Sequence, residues 1–301
     1  ITDSYLESAE YISEQRYDLL VVGSDTVLNF YDWNLRQHEL PNYWLPQSLP
    51  SKKVMISSSI GTDLNIDSLD QATQQALRDS IEGFSMLGVR DEITRDFIHD
   101  LTPQASDSVD VIPDPTFSYT IDGTHSEAYL KRKGVGPGVP IMGLDVPPSL
   151  IGVEDAVKHL KSKGYAVASW RGVSKVADYD FSDMGPLEWS GIFKRFDITL
   201  TNRFHASIFS LKNSTPVITM DYKANRISRS KRSKASMLMD SFGLKDTNYR
   251  NVADITDSAW VLRAMQAALD EPRIKELQSS ISRKNREYDS YLGKITSLFS
   301  T

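Results

Sequence analysis

The sequence predicts an α/β protein built from two Rossmann-like domains. Three observations carry that expectation. Short apolar or β-branched runs alternate with amphipathic stretches in both halves, the pattern of parallel strands joined by helices. A polar stretch rich in Gly and Lys, residues 119–140, ends in GVGPGVP and has the composition of a linker. The chain has 301 residues, enough for two domains of ordinary size. The expected domains are residues 1–130 and 131–301, with C-terminal helices that return to the first domain.

In the first half, ITDSYLESAEYISEQ reads as a helix without an initiating Met, so the chain is expected to be a piece or a processed form. Residues 17–23, YDLLVVG, form a continuous apolar run suited to a strand buried on both faces. Ser24 and Asp25 follow at its C-terminal end, where they face a ligand crevice or cap the next segment. Trp33, Trp44 and Pro46 fall in an aromatic loop. Residues 53–59 are the next strand, and Ile60-Gly61 after it lets a backbone approach a ligand closely. Residues 67–82 read as an amphipathic helix and 86–89 as a strand. Arg90 then stands at a strand end before a helix, either facing a ligand or paired with Asp91 or Glu92. Residues 109–112 are a strand closing in Pro113-Asp114-Pro115-Thr116, where Asp114 can fix the turn.

The second half repeats the alternation. Strands are expected at residues 141–146, 165–170, 197–200 and 217–220, and helices at 153–163, 187–193, 204–211, 236–244, 257–269 and 274–298. Trp170 and Arg171 lie at a strand end, read either as stacking and charge for a sugar or phosphate or as a satisfied surface pair. The segment from Asp197 to Tyr222 concentrates the chemistry. Arg203 and His205 fall where a strand ends and a helix begins, the mouth of the crevice in an open parallel sheet. Arg is a fixed cation with a planar fork, His carries a proton near neutral pH, and a helix N-terminus favours an anion. A capped helix start is the plain alternative. Beyond it, KANRISRSKRSK ending at Lys234 is a basic run, read as a solvated loop or as a holder of phosphate, diphosphate-linked lipid or an anionic head group.

Composition narrows the classes. A net charge of −6 excludes a general nucleic-acid binder. With no Cys there is no disulfide framework, thiolate nucleophile or Cys-ligated zinc. No run approaches membrane-spanning length and no signal-peptide core is present, so a cytoplasmic protein is expected, at most peripheral to the inner face of a membrane. Neither a P-loop nor a dinucleotide fingerprint occurs, and no metal or other cofactor is expected. Asp178-Tyr179-Asp180 lies in a loop and is not read as a metal site.

Several segments occur in the order of a known family. Gly23-Ser24-Asp25, Ser58-Ser59-Ile60-Gly61, Val89-Arg90-Asp91, Asp114-Pro115-Thr116 and above all Asn202-Arg203-Phe204-His205 resemble the polysaccharide pyruvyl transferases. Ala206 stands where that family often has Gly, and Gly88 where it has Ser. The family's usual opening strand is missing, so the first sheet is expected to lack it. The resemblance implies two Rossmann-like domains facing across a cleft, a GT-B-like architecture. It implies transfer of a pyruvyl group from phosphoenolpyruvate to two hydroxyls of a sugar, giving a cyclic ketal and phosphate. The acceptor would be a sugar, an oligosaccharide or a lipid-linked saccharide. Phosphoenolpyruvate has two anionic ends, for which Arg203 and Arg90 are the candidate cations. His205 suits the acid–base step, and Arg203 and His205 are the expected catalytic pair. Asn202, Ser59, Gly61, Ser24, Asp25, Asp114 and Lys234 complete the expected substrate contacts. A GT-B glycosyltransferase with a nucleotide-sugar donor is the alternative.

Overall fold

The computed structural model describes residues 4–30, 40–61, 64–171, 175–221, 233–270 and 273–299. Ten strands lie in chain order among them: β1 (Leu19–Val22), β2 (Lys52–Ser58), β3 (Met86–Val89), β4 (Val109–Val111), β5 (Ile141–Asp145), β6 (Ala166–Ser169), β7 (Tyr179–Asp180), β8 (Ile198–Thr201), β9 (Val217–Asp221) and β10 (Tyr249–Asn251). The described α-helices are α1 (Tyr5–Gln15), α2 (Gln71–Glu82), α3 (Glu92–Leu101), α4 (Thr124–Arg132), α5 (Val153–Ser162), α6 (Pro186–Ile192), α7 (Phe204–Lys212), α8 (Lys234–Ser241), α9 (Lys245–Asn248), α10 (Ala259–Asp270) and α11 (Ile274–Ser297). Trp33, His38 and most of the basic run before Lys234 lie outside the described residues.

The chain is of the α/β class, with parallel sheets in two compact units. The first unit is built mainly from Ile1–Ser118 and Lys284–Thr301, and the second from Tyr119–Ala224 and Lys234–Arg283. The boundary therefore falls before the Gly/Lys-rich stretch. The reason is α4, whose Tyr129 and Leu130 are buried in the second unit's core with Phe181, Phe193 and Phe209.

In the first unit four parallel strands run in the order β1-β2-β3-β4. The edge strand β1 departs from the expected strand buried on both faces. Among the described residues it pairs only with β2, and Val21 is 52% exposed while Val22 is buried. An apolar run alone does not distinguish a central strand from an edge strand. The tail of α11 packs on this sheet. Tyr291 is buried with Val54, Ile112 and Ile295, and its hydroxyl donates to the Met55 carbonyl at 2.8 Å. Gly88 makes this possible, since a Cβ there would come within 2.5 Å of the Tyr291 ring. The family's Ser would not fit under that tyrosine.

The second unit holds six parallel strands in the order β10-β9-β8-β5-β6-β7. From β5 the chain winds outward through β6 and β7, then returns to the other side of β5 with β8, β9 and β10. The topology thus reverses between β5 and β8, and the open crevice of a parallel sheet lies beyond the strand ends at such a switch. The register Asp145↔Thr201 brings the last residues of β5 and β8 side by side. Every residue of β5, β8 and β9 is buried, as their continuous apolar and β-branched runs require. The two-residue β7 and three-residue β10 are too short to show a period in sequence.

Candidate active site

The β8–α7 turn is built by local hydrogen bonding. Thr201 Oγ accepts from the Arg203 N–H at 2.9 Å, so the residue closing the strand satisfies the first residue of the turn. Arg203 occupies the N-cap position in extended conformation, without a side-chain cap. The apolar α7 is then anchored. Ala206, Ser207, Ile208, Phe209, Ser210 and Leu211 are all buried, and Ser207 Oγ lies 3.0 Å from Thr219 Oγ on β9. This holds Arg203 exposed and Asn202 and His205 half-buried at the strand end. The His205 ring stands edge-on to Phe204, with centroids 5.5 Å apart.

Within the second unit a pocket of about 1310 Å³ opens at this place. Asp145, Ser169, Trp170, Arg171, Arg203 and His205 line it, together with Trp189 and Lys175. Within this unit Arg203 shares the pocket with a second arginine, Arg171, from just beyond the end of β6. Trp170 is set by packing: its ring stacks on Phe196 at 5.7 Å with only 6° between planes. Phe196 in turn lies over Gly143 of β5, where a Cβ would meet that ring at 2.6 Å.

Asp145, at the end of β5, is a site residue that the sequence pattern does not single out. It is 1% exposed, its Oδ2 accepts from Thr201 Oγ at 3.0 Å, and its Oδ1 lies 3.2 Å from Arg171 Nε. Burial pushes its carboxyl up to about 6, against the opposing pull of Thr201, Arg171, Arg203 and Trp170. The only signal in the sequence is a lone acidic residue ending a wholly apolar strand. Asn202 Oδ1 is buried without a hydrogen-bond partner among the described residues, so it is open to a donor from a ligand. Lys234 begins α8 and sets its ammonium 5.4 Å from the Phe204 ring centroid, on the residue next to His205.

The remaining expected contacts lie in the first unit, around the strand ends of its own sheet. Arg90 has a side chain only 3% exposed, with Nη1 at 2.8 Å from Asp25 Oδ1 and 3.2 Å from Asp114 Oδ2. These two carboxylates come from distant parts of the chain, not from its immediate neighbours in sequence. Asp91 instead caps α3 through Thr94 N–H at 2.9 Å and accepts from Ser59 Oγ at 2.6 Å. Ser59 is fully buried, and its oxygen also accepts from the Gly61 N–H at 2.9 Å. Asp114 Oδ1 accepts from the Thr116 N–H at 2.9 Å, fixing that turn. Ser59 and Asp114 are thus committed to the protein, whereas Ser24 is half-buried and the Asp25 side chain is 45% exposed. Among the described residues no group of three or more acidic or His side chains is placed to hold a metal ion.

A family model, polysaccharide pyruvyl transferase, matches residues 2–224. The chain belongs to the polysaccharide pyruvyl transferase family. Membership makes it a transferase of the pyruvyl class in polysaccharide biosynthesis, and the matched span includes both the pocket and the first unit's strand ends. No curated protein matches the chain in sequence. Solved structures match in fold. A Listeria monocytogenes protein provisionally named a UDP-N-acetylglucosamine 2-epimerase aligns with TM-score 0.63 at 9% identity, over 98% of this chain and 78% of its own. The Staphylococcus aureus MnaA–UDP structure aligns with TM-score 0.58 at 9% identity, over 98% and 78%. A UDP-forming trehalose-phosphate synthase from Burkholderia xenovorans aligns with TM-score 0.57 at 10% identity, over 96% and 77%. At such identities the likeness shows the fold alone, which is GT-B-like. Among the described residues no helix is long and apolar enough to cross a membrane.

Proposed function

We propose that the protein transfers a pyruvyl group from phosphoenolpyruvate to two hydroxyls of a sugar, forming a cyclic ketal and releasing phosphate. The observation that carries this reading is the convergence of Arg171, Arg203 and His205 on one pocket at the β5/β8 switch point. The donor is a small molecule with a carboxylate and a phosphate, and two guanidinium forks match two such anions. Protonation of the methylene carbon turns C2 into an oxocarbenium-like centre, and the first sugar hydroxyl attacks it. The C2–O bond to phosphate then breaks, and the second hydroxyl closes the ring. One hydroxyl proton balances the new methyl group and the other leaves with phosphate. His205, in the pocket lining, is the imidazole for the proton transfers, as acid toward the enol or as base toward the acceptor.

Asn202 Oδ1 and the Phe204-bound Lys234 serve the same seat, the first as acceptor for a hydroxyl and the second as a further cation. In the first unit Asp25, Ser24 and Gly61 remain candidate contacts for the acceptor, because carboxylates and backbone groups bind sugar hydroxyls. Arg90 and Asp114 support Asp25 there, and Ser59 supports Gly61. The acceptor is a sugar, oligosaccharide or lipid-linked saccharide at a cytoplasmic membrane face.

One observation favours a second reading. The pocket's 1310 Å³ exceeds the roughly 300–1,000 Å³ usual for a whole ligand site. A nucleotide-sugar donor with its diphosphate on the same arginines would fill more of it. Incubation with phosphoenolpyruvate and a panel of β-galactosides, glucosides and mannosides, against nucleotide sugars, separates the two. Phosphate release with a ketal product supports the first reading, and nucleotide release with no reaction of phosphoenolpyruvate overturns it.

A further inference from the structure

The reaction as written gives Asp145 no task, and its position is costly for an anion-binding pocket. Its carboxylate lies in the wall where a dianion would dock. It is held by Thr201 Oγ on one oxygen and lies near Arg171 on the other. The Arg171 contact is an ion pair without hydrogen-bond geometry, and Oδ1 makes no hydrogen bond. Every charged or titratable group lining the pocket faces the same space. These are Arg171 and Lys175 from the loop after β6, Arg203 and His205 from the β8–α7 turn, and Glu154 from the first turn of α5. Two anions side by side in a partly dry pocket compete for the same guanidinium, and one of them is driven to accept a proton.

We propose that Asp145 is a working residue of this anion seat. In the empty pocket its carboxylate neutralises Arg171. When a dianion docks, Asp145 yields Arg171 and takes up one proton from solvent, remaining beside the anion as a neutral carboxylic acid. Oδ1, the oxygen without a hydrogen bond, then carries the proton and donates to the docked anion. The carboxyl already sits close to neutral pH in the empty pocket, raised by burial to about 6, so a neighbouring dianion has a short distance to push it. This inference rests on the anion-seat reading above but not on the identity of the donor.

Sulfate is the probe, because it stays a dianion across the pH range in which Asp145 titrates. Sulfate binding is followed by calorimetry in buffers of different ionisation enthalpy, which counts the protons taken up. The expected result is uptake of close to one proton per sulfate at neutral pH, with affinity rising up to about tenfold for each pH unit of acidification until Asp145 is protonated in the empty pocket. Asp145→Asn is expected to abolish most of the uptake and to bind sulfate more tightly than the parent at neutral pH. His205→Gln is expected to keep the uptake. Thr201→Val removes the hydrogen bond that favours charged Asp145, together with the acceptor of the Arg203 N–H, so its uptake begins at higher pH, and it decides the matter should Asp145→Asn not fold.

Absent sulfate binding, uptake unchanged in Asp145→Asn, uptake lost in His205→Gln, or weaker binding by Asp145→Asn at every pH each overturns the proposal. Phosphoenolpyruvate turnover is assayed separately on the same proteins. Proton uptake without turnover would sink only the pyruvyl reading, and turnover without proton uptake only this one.

Discussion

Arg90 and Arg171 occupy equivalent kinds of place, each just beyond the C-terminal end of a parallel strand, yet their surroundings differ. Arg90 meets two carboxylates, one of them on Asp114 with a side chain only 2% exposed, and is itself sealed from solvent. Arg171 meets one, Asp145, keeps a quarter of its side chain accessible, and shares a pocket with a second arginine. Position at a strand end makes an arginine a candidate. The ratio of cations to carboxylates around it decides what it can hold. Among the described residues of the first unit two carboxylates face Arg90, and the group holds Asp25 in place. In the second unit cations outnumber the buried acid, so the pocket is short of negative charge and suited to an anion.

The comparison can be broken in several ways. The largest expected effect is at the pocket: His205→Ala should lose about 10²–10⁴-fold in turnover while donor binding, measured by calorimetry, survives. A fully active variant would remove the histidine's role. Next comes the contrast between arginines. Arg90→Ala leaves Asp114 buried without its cation and should cost about 3–5 kcal/mol of stability in denaturant unfolding. Arg203→Ala, at an exposed side chain, should stay within about 0.5 kcal/mol of the parent in stability. It should weaken donor binding by about 1.5–3 kcal/mol, the worth of a hydrogen bond to a charged group. The reverse pattern would exchange the roles of the two units.

A third test concerns pH. Asp145 titrates at about 6 when folded against 3.8 as its ordinary value. Between about pH 4 and 6 the folded state therefore holds more protons than the unfolded one, so stability falls as pH rises through that window and levels off above it. Asp145→Asn lacks this loss. Its stability relative to the parent should rise with pH across the window by at most about 3 kcal/mol, two units at 1.36 kcal/mol each. Chemical denaturation at pH 4 and pH 7.5 reads the difference, and a pH-independent difference would show that Asp145 is not the buried acid described. The smallest effect is expected in the first unit, where Gly88→Ser would overpack the strand leading to Arg90 by about 1–3 kcal/mol. Adding Tyr291→Leu should recover part of that loss. If the serine is neutral on its own, the tyrosine does not set the spacing under β3.

Much of this site is legible in the amino-acid sequence. Asn202-Arg203-Phe204-His205 lies between a β-branched run and an apolar helix, and strand end and helix start are both local properties of a dozen residues. Arg171 is visible there as a strand-end cation, but its pairing is not. Asp145 escapes notice because an acid after an apolar run reads as the end of a strand and nothing more. Arg90 reads as facing a ligand or as paired with its sequence neighbours, while the carboxylates it meets lie 65 and 24 residues away. The short β7 and β10 carry too few residues for a period, and Val21 reads as core although it is 52% exposed on β1.

By itself the sequence determined the α/β class, most of the strands and helices, and the placing of Arg203 and His205 at a strand–helix junction. Those follow from backbone geometry and side-chain periodicity, which act over a few residues. Only the tertiary structure decided that β5 lies beside β8, and hence that Asp145 meets Thr201 and Arg171. It alone decided that Gly88 faces Tyr291, and that one arginine is buried against two carboxylates while another opens into a pocket. Parallel pairing joins residues far apart in the chain, and the charge balance of a crevice depends on which strand ends that pairing gathers.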